Sequence, residues 1–206
     1  MNKQVLLTGF EPFGGVSHNP SAELAERLNG QRFYGRTMVG LTLPVAFGVS
    51  AKQVQHAIRR YDPELVICLG LAGSRRQLSL ERIAVNLDDA RIPDNHGQQP
   101  IDQPIRRSGA AAYFSSLPIK AMHRALSKGG WPVEVSNTAG TYVCNHVFYC
   151  LIHGLRRRPG VKGGFIHVPE PSRDFGLDDM EAALRLAITT ALRVRRDIRS
   201  AVGKAE

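Results

Sequence analysis

Short runs of almost uninterrupted apolar residues alternate along this chain with longer amphipathic segments. The run ELVICL at residues 64–69 is typical of the short kind. Strands without polar alternation occur where both faces of a mostly parallel sheet are covered by helices. The alternation therefore predicts an α/β fold: a single-domain α/β/α sandwich over residues 1–206, with a largely parallel, twisted central sheet. A chain of this length can bury the core that such a domain needs.

Hydrophobic periodicity and the turn residues predict where the elements lie. The predicted strands cover residues 3–9, 32–36, 38–45, 64–70, 79–86, 132–136 and 163–168. The predicted helices cover residues 22–28, 47–61, 118–128, 141–157 and 178–201, and Ser21 is expected to cap the first of them. Residues 88–109 lack periodicity and are rich in Asp, Pro, Gly and Gln, which predicts a long loop of the kind that often carries function.

The formal net charge is +9, a value that can accompany nucleic-acid binding. The densest arginine clusters, at residues 156–158 and 193–199, fall at the end of one predicted helix and on the solvated face of the last one. No basic stretch is interleaved with aromatic residues that could stack on bases. We therefore expect no nucleic-acid partner.

Three cysteines form an odd set, and two of them lie in apolar stretches. Such cysteines are typical of reduced thiols, so a cytoplasmic protein is expected. The only apolar run near residue 1 is the short VLL at 5–7, which predicts neither a signal peptide nor a membrane span.

Cys144 falls just inside the predicted start of a helix, after a strand-like segment and a turn of small residues. Unpaired N–H groups and the positive end of the helix dipole stabilise a thiolate there, and can lower a thiol pKa from about 8.5 to about 7 or below. The alternative is a small buried hydrophobic residue. The chemistry of Cys144 therefore depends on whether a base lies nearby.

Helix geometry excludes the two nearest histidines as that base. His146 points roughly 200° away from Cys144 around the helix, and His153 lies roughly 13 Å along its axis. His167 lies near the end of an apolar run that Pro169 stops, and strand ends meet helix starts in open α/β sheets. Cys144 and His167 are therefore predicted neighbours, although a core histidine would fit the same pattern. Spacing leaves the carboxylate that would orient the imidazole open among five residues: Glu81, Asp88, Asp89, Asp94 and Glu170.

Two other patterns indicate alternative sites. Cys144, His146, Cys150 and His153 are all potential zinc ligands, but on a helix they cannot converge, so no metal is expected. The glycine-rich turns at residues 9–15 and 70–75 match no phosphate-binding motif. The first turn contains two phenylalanines and a proline, which indicates either a surface that binds an apolar ring or a loop packed on the core.

Four motifs in order carry a resemblance that spans nearly the whole chain. They are TGFEPFGG at residues 8–15 with NP at 19–20, LERIAVN at 80–86, NTAGTYVCN at 137–145 and FIHVP at 165–169. In these motifs the chain resembles the type I pyroglutamyl peptidases, the cytosolic cysteine class also called pyrrolidone-carboxylate peptidases. The resemblance implies Cys144 as nucleophile, His167 as base and Glu81 as the orienting carboxylate.

The resemblance also implies a pocket for the flat lactam ring of pyroglutamate. Phe10 and Phe13 are expected to flank the ring, and Tyr142 and Val143 to complete the pocket. Asn19 and the main chain near Leu71 are expected to pair with the polar groups of the lactam. Several family members have glutamine where this chain has Leu71, so a side-chain amide contact at that position is excluded. Arg91 is a further expected electrostatic helper.

The implied activity is that of a cysteine exopeptidase, or omega-peptidase, that removes an N-terminal pyroglutamyl residue through an acyl-thioester. Its partners would be N-terminally pyroglutamylated peptides, without nucleic acid or membrane, and no cofactor or metal would be needed. A homotetramer is expected from the family. The alternative from another class of function is a catalytically inactive module that only binds pyroglutamyl peptides.

Overall fold

The computed structural model describes residues 3–202 and has an α/β architecture. Its strands are β1 (Gln4–Phe10), β2 (Arg32–Phe33), β3 (Arg36–Leu43), β4 (Leu65–Leu71), β5 (Leu78–Glu81), β6 (Ile83–Val85), β7 (Ala112–Phe114), β8 (Val133–Ser136) and β9 (Lys162–Val168). Its helices are α1 (Pro20–Leu28), α2 (Val49–Tyr61), α3 (Ile119–Lys128), α4 (Val143–Leu155) and α5 (Leu177–Arg193). Within the described part of the chain, no helix has the length and apolar character needed to cross a membrane.

Seven strands form the central sheet in the order β2-β3-β1-β4-β9-β5-β8. Neighbours run parallel except at β2–β3 and β5–β9, so the predicted, largely parallel sheet is confirmed. The antiparallel pairing of β5 with β9 places the last residue of β5 beside the second half of β9. This position matters for the site described below.

Successive strand residues point to opposite faces, and each face is covered by helices. Leu7 and Ile67 pack with α1, α3 and α5 on one side, whereas Leu6 and Val66 pack with α2 and α4 on the other. This explains why the strands are apolar without alternation. It also places α4 against the sheet face that carries the ends of β4 and β9.

The first helix begins differently from the prediction that Ser21 caps it. Asn19 is the N-cap, because its Oδ1 accepts from the Ser21 backbone N–H, and Pro20 takes the first helical position. The Ser21 hydroxyl instead accepts from the Phe10 backbone N–H at the end of β1. A Cβ at Gly9 would lie 2.0 Å from the Ser21 carbonyl oxygen, so only glycine allows this close approach.

The predicted strand over residues 79–86 is wrong as one element. The chain leaves the main sheet after Glu81, and β6 pairs antiparallel with β7 in a separate two-stranded sheet that the sequence did not indicate. The predicted long loop is confirmed between β6 and β7, where the only bridge among described residues joins Asp88 to Gln103.

The predicted last helix is too long. It ends at Arg193, and Val194 is already extended. Asp197 then accepts from the backbone N–H groups of Lys120 and Ala121 at the start of α3, which ties the terminal segment to another helix. The arginines after residue 194 therefore do not lie on a helical face.

Candidate active site

Cys144 occupies the first turn of α4. Tyr142 is the extended N-cap, and the first intrahelical bond runs from the His146 N–H to the Tyr142 carbonyl. The N–H groups of residues 143–145 therefore have no acceptor within the helix. The predicted placement of a cysteine at a helix start is confirmed.

Gly70 in β4 fixes the position of the sulfur. A Cβ at this glycine would lie 2.8 Å from Cys144 Sγ and 2.8 Å from Phe165 Cζ, so the sulfur rests directly over the strand. Gly70 pairs in register with His167 on β9. Paired residues project on the same face, so the structure brings the sulfur and the imidazole to adjacent positions.

Glu81 ends β5 and is diagonal to His167 across the antiparallel pair, on the same sheet face. Its Oε1 lies 2.7 Å from His167 Nδ1, and both side chains are buried, Glu81 completely. An ionised carboxylate can only accept, so it holds the imidazole proton on Nδ1. Nε2 is then free to accept a proton from a thiol.

The four other carboxylates that spacing left open lie elsewhere. Asp88 contacts His146 at 2.8 Å, Asp94 accepts from the Phe47 N–H, and Glu170 lies 3.6 Å from His18. The Asp89 backbone N–H donates to the Thr141 carbonyl, and the Asp89 carbonyl accepts from the Thr141 hydroxyl.

Arg75 contacts the same carboxylate, and the sequence analysis missed it. Its Nη1 donates to Glu81 Oε1 at 2.6 Å, and Nη2 donates to the Thr138 carbonyl at 3.1 Å. One oxygen of Glu81 thus accepts from both Arg75 and His167. The only sequence signal was the position of Arg75 in the second glycine-rich turn.

Cys144 does not have the lowered pKa expected from its helix position. Burial raises the pKa of the thiol to about 12, the negative charge of Glu81 acts in the same direction, and Arg75 opposes both. Burial therefore outweighs the helix start. The pKa of the resting thiol is therefore raised, which is opposite to the direction predicted from the helix start.

Comparison with known proteins agrees with this geometry. The family model described as pyroglutamyl peptidase matches residues 3–196. The pyrrolidone-carboxylate peptidase of Bacillus licheniformis is 45% identical, over 98% of this chain and 99% of the relative. That of Enterobacter sp. (strain 638) is 49% identical over the same shares. The crystal structure of pyroglutamyl peptidase I from Bacillus amyloliquefaciens matches with a TM-score of 0.93 and 43% identity, over 98% of this chain and all of that one. The chain belongs to the pyroglutamyl peptidase family.

Family membership confirms the resemblance drawn from the four motifs, and with it the predicted class of cysteine omega-peptidase. The comparisons lend no support to the alternative of an inactive binding module. They also agree with the α/β fold, since the structural match extends over nearly the whole chain.

The four residues expected to surround the lactam ring divide into two groups. Phe10 and Val143 are almost completely buried in the core on the α2 and α4 side, whereas Phe13 and Tyr142 are half-buried. The rings of Phe13 and Tyr142 lie 6.2 Å apart, and Phe47 meets Tyr142 edge-on at 5.4 Å. Phe10 and Val143 therefore belong to the core, and Phe13 and Tyr142 lie nearer the surface. Phe47 lies just before α2, and no sequence motif indicated it.

Tyr142 also holds the long loop to the active site. Its hydroxyl donates to the Pro93 carbonyl at 3.0 Å. Burial raises the pKa of Tyr142, and the nearby charges of Asp94 and Cys144 act in the same direction. This aromatic side chain therefore lies between the loop and the nucleophile.

The remaining three predicted residues are placed as follows. Asn19 is buried, and its amide is engaged within the protein: Oδ1 accepts from the backbone and hydroxyl of Ser21, and Nδ2 donates to the Glu11 carbonyl. Leu71 ends β4 opposite Val168, half-buried. Arg91 is exposed on the long loop and forms no ion pair with any residue of 3–202. The guanidinium at the catalytic carboxylate is that of Arg75.

Three of the residues that suggested zinc have contacts in different places. Cys144 lies over Gly70, whereas His146 accepts from the Gly48 N–H and His153 contacts the Tyr113 hydroxyl at 2.9 Å. Across residues 3–202, no three His, Cys, Asp or Glu side chains come together as a metal site.

Proposed function

We propose that this protein hydrolyses the peptide bond after an N-terminal pyroglutamyl residue, with Cys144 as nucleophile, His167 as acid and base, and Glu81 as the group that orients the imidazole. The observation that carries the proposal is the series Glu81, His167 and Cys144 on one face of the sheet, with Sγ over Gly70 beside His167. All three lie in one catalytic domain spanning residues 1–206.

The first step transfers the proton of the Cys144 thiol to His167 Nε2 as sulfur attacks the pyroglutamyl carbonyl. The resulting imidazolium is stabilised by Glu81 at Nδ1. Burial raises the pKa of the resting thiol, so we place the transfer of its proton to His167 in the same step as the attack. His167 then gives the proton to the departing amine, which leaves an acyl-thioester on Cys144.

Hydrolysis of the thioester repeats these roles. A water molecule gives its proton to His167 Nε2 and adds to the carbonyl, and collapse of the adduct releases free pyroglutamate. The proton on His167 then returns to the Cys144 sulfur. Oxyanions in both steps can be bound by the N–H groups at the start of α4, which have no helical acceptor.

Recognition of the lactam is assigned to the pocket beside the sulfur. Phe13 and Tyr142 flank the ring, over a base formed by Phe10 and Val143. A site with buried polar partners rejects an analogue that lacks the matching oxygen, which separates pyroglutamyl from prolyl substrates. The main chain at Leu71 is our candidate for such a partner, and Asn19 acts by holding the loop in position.

A homotetramer in the cytoplasm completes the proposal. Its support is the family resemblance together with three free thiols. Ile101 and Phe114 are also exposed by 65% and 67%, in the long loop and in β7, where a second copy could cover them. Size-exclusion chromatography with light scattering tests the assembly.

The decisive experiment is hydrolysis of pyroglutamyl-aminomethylcoumarin by the purified protein. Wild type should release the fluorophore, whereas Cys144→Ser and His167→Ala should lose at least about a thousandfold in kcat/KM. Cys150→Ser is the matched control, because Cys150 lies on the same helix and faces away from the sheet. Wild-type turnover by either catalytic variant would falsify the assignment.

The prolyl analogue of the substrate tests specificity in the same assay. It lacks the ring carbonyl oxygen and carries a protonated ring amine in place of the lactam N–H, so it should react at least about a hundredfold more slowly. Binding of pyroglutamyl peptides without turnover by the wild type would favour the inactive module instead.

A further inference from the structure

A cavity of about 730 Å³ lies between α2 and α4, on the side of α4 that faces away from Cys144. Its walls are one face of each helix, and residues Ile105 and Arg106 of the long loop close one side. The helices can approach here because Gly154 has no side chain: a Cβ would lie 2.5 Å from Gln55 Nε2. The catalytic residues are not among those that line it.

The lining of this cavity is strongly basic. It contains five cationic side chains and no carboxylate: Lys52, Arg59, Arg106, Arg157 and Arg158. Arg158 is partly neutralised by Asp62 at 2.8 Å. Within residues 3–202 the other four form no ion pair. Like charges gathered around one concave space raise the local potential and attract anions.

One of the two histidines of the lining agrees with a positive potential. Burial lowers the pKa of His153, and Arg106, Arg156 and Arg157 lower it further. His146 does not report on the cavity, because its hydrogen bonds to Asp88 and Cys150 outweigh burial and raise its pKa to about 9. Arg106 and Arg157, which both line the cavity, therefore lie close enough to each other to act on the same imidazole.

The simplest explanation of the arginines at residues 156–158 is that they complement the dipole at the end of α4. These three arginines have different contacts. Arg156 stacks over the Tyr113 ring, with its Cζ 5.6 Å from the ring centroid, and Arg158 pairs with Asp62. Within residues 3–202, Arg157 neither stacks on an aromatic ring nor pairs with a carboxylate. It lines the cavity together with Arg106 from the loop and Arg59 from α2. A helix-end role does not explain the convergence of three elements.

We propose that this cavity binds a small anion with two or more phosphate groups. Guanidinium forks match phosphate oxygens in pairs, and four unpaired cations require a ligand with more than one charge. The cavity opens to solvent between two helices and a loop, and its four unpaired cations are exposed, so a ligand can reach them from outside. The site is independent of the peptidase reaction.

Pyrophosphate is the probe for the test, added to the full-length protein at constant ionic strength set with sodium chloride. Calorimetry should detect one bound pyrophosphate per chain. Proton NMR should show an upward shift of the His153 pKa, because a bound anion cancels the charges that lower it. No heat and an unchanged His153 titration would overturn the proposal.

The variants Arg106→Gln and Arg157→Gln should each weaken pyrophosphate binding by about tenfold. Arg124→Gln is the matched control, since Arg124 is exposed on α3, which packs on the opposite face of the sheet. Unchanged hydrolysis of pyroglutamyl-aminomethylcoumarin checks that each variant is folded. Equal weakening by Arg124→Gln would indicate a general charge effect, and affinity that grows with the length of an oligonucleotide would indicate a nucleic-acid surface. Either result would overturn the proposal.

Discussion

Arg75 lies 2.6 Å from the oxygen of Glu81 that also accepts from His167. The second oxygen of Glu81 is buried and has no hydrogen-bond partner among the described residues. The Glu81 carboxylate is therefore held by two donors at one oxygen. Arg75 fixes the position of Glu81, and its positive charge lowers the pKa of Cys144 against the larger effect of burial.

Replacing Arg75 by glutamine should shift the pH dependence of kcat/KM. Loss of the cation leaves Cys144 with a still higher pKa, so the rising limb of the profile should move to higher pH. On that limb, activity at a fixed pH falls about tenfold for every pH unit by which the limb moves. Arg75→Lys keeps the charge, so the rising limb of its profile should lie between those of Arg75→Gln and wild type. An unchanged profile in Arg75→Gln would limit Arg75 to a structural role.

Gly70→Ala should reduce kcat strongly while the protein still folds. The added methyl group would lie 2.8 Å from both Cys144 Sγ and Phe165 Cζ, so the sulfur and the ring that fix the site must be displaced. A displacement of this kind costs about a hundredfold. Gly73→Ala is the control, because the nearest atom to its Cβ belongs to Glu170 at 3.7 Å. Steady-state kinetics should be measured on both variants. Equal kcat values would mean that the position of the sulfur is not critical.

The sequence predicted the sheet and the placement of Cys144 because both depend on local signals. Apolar runs mark buried strands, and small residues before Cys144 mark the turn into α4. The pairing of Cys144 with His167 followed from the general rule that strand ends meet helix starts. Glu81 did not follow from spacing, since its contact with His167 depends on the antiparallel pairing of β5 with β9, which no local pattern encodes.

The errors have the same origin. Four of the eight residues at 79–86 are apolar, which favoured a single strand, yet the chain changes sheets after Glu81 because β7, more than 25 residues later, is the partner of β6. The pKa of Cys144 depends on burial and on Glu81, neither of which is visible near residue 144. Long-range contacts therefore decided both of these features.

Asn19→Ala should destabilise the protein more than it impairs substrate binding. The substitution removes the N-cap of α1 and the bond to the Glu11 carbonyl, which together cost about 1–2 kcal/mol. Thermal unfolding should occur about 2–8 °C lower, with KM nearly unchanged. Asn29→Ala, at the other end of α1, is the control for a general loss of helix stability. A large rise in KM at unchanged stability would instead indicate that Asn19 contacts the lactam.

Tyr142→Phe should loosen the long loop while preserving the ring pocket. The variant keeps the contacts with Phe13 and Phe47 but loses the bond to the Pro93 carbonyl. One such bond is worth about 1 kcal/mol, so KM should rise by about fivefold with little change in kcat. Hydrogen exchange should become faster in the loop around Pro93. Unchanged exchange there would mean that other contacts alone hold the loop.

Cys144 should alkylate through a small thiolate fraction that grows with pH in the free enzyme. With its pKa raised to about 12, the thiolate fraction grows about tenfold per pH unit through the neutral and mildly alkaline range. The rate of iodoacetamide modification at Cys144, followed by mass spectrometry, should therefore keep rising up to about pH 10. Cys150, half-buried on the same helix, is the internal comparison. A plateau reached near pH 7 would mean that Cys144 and His167 form an ion pair before substrate binds, because only a thiolate already present gives a rate independent of pH.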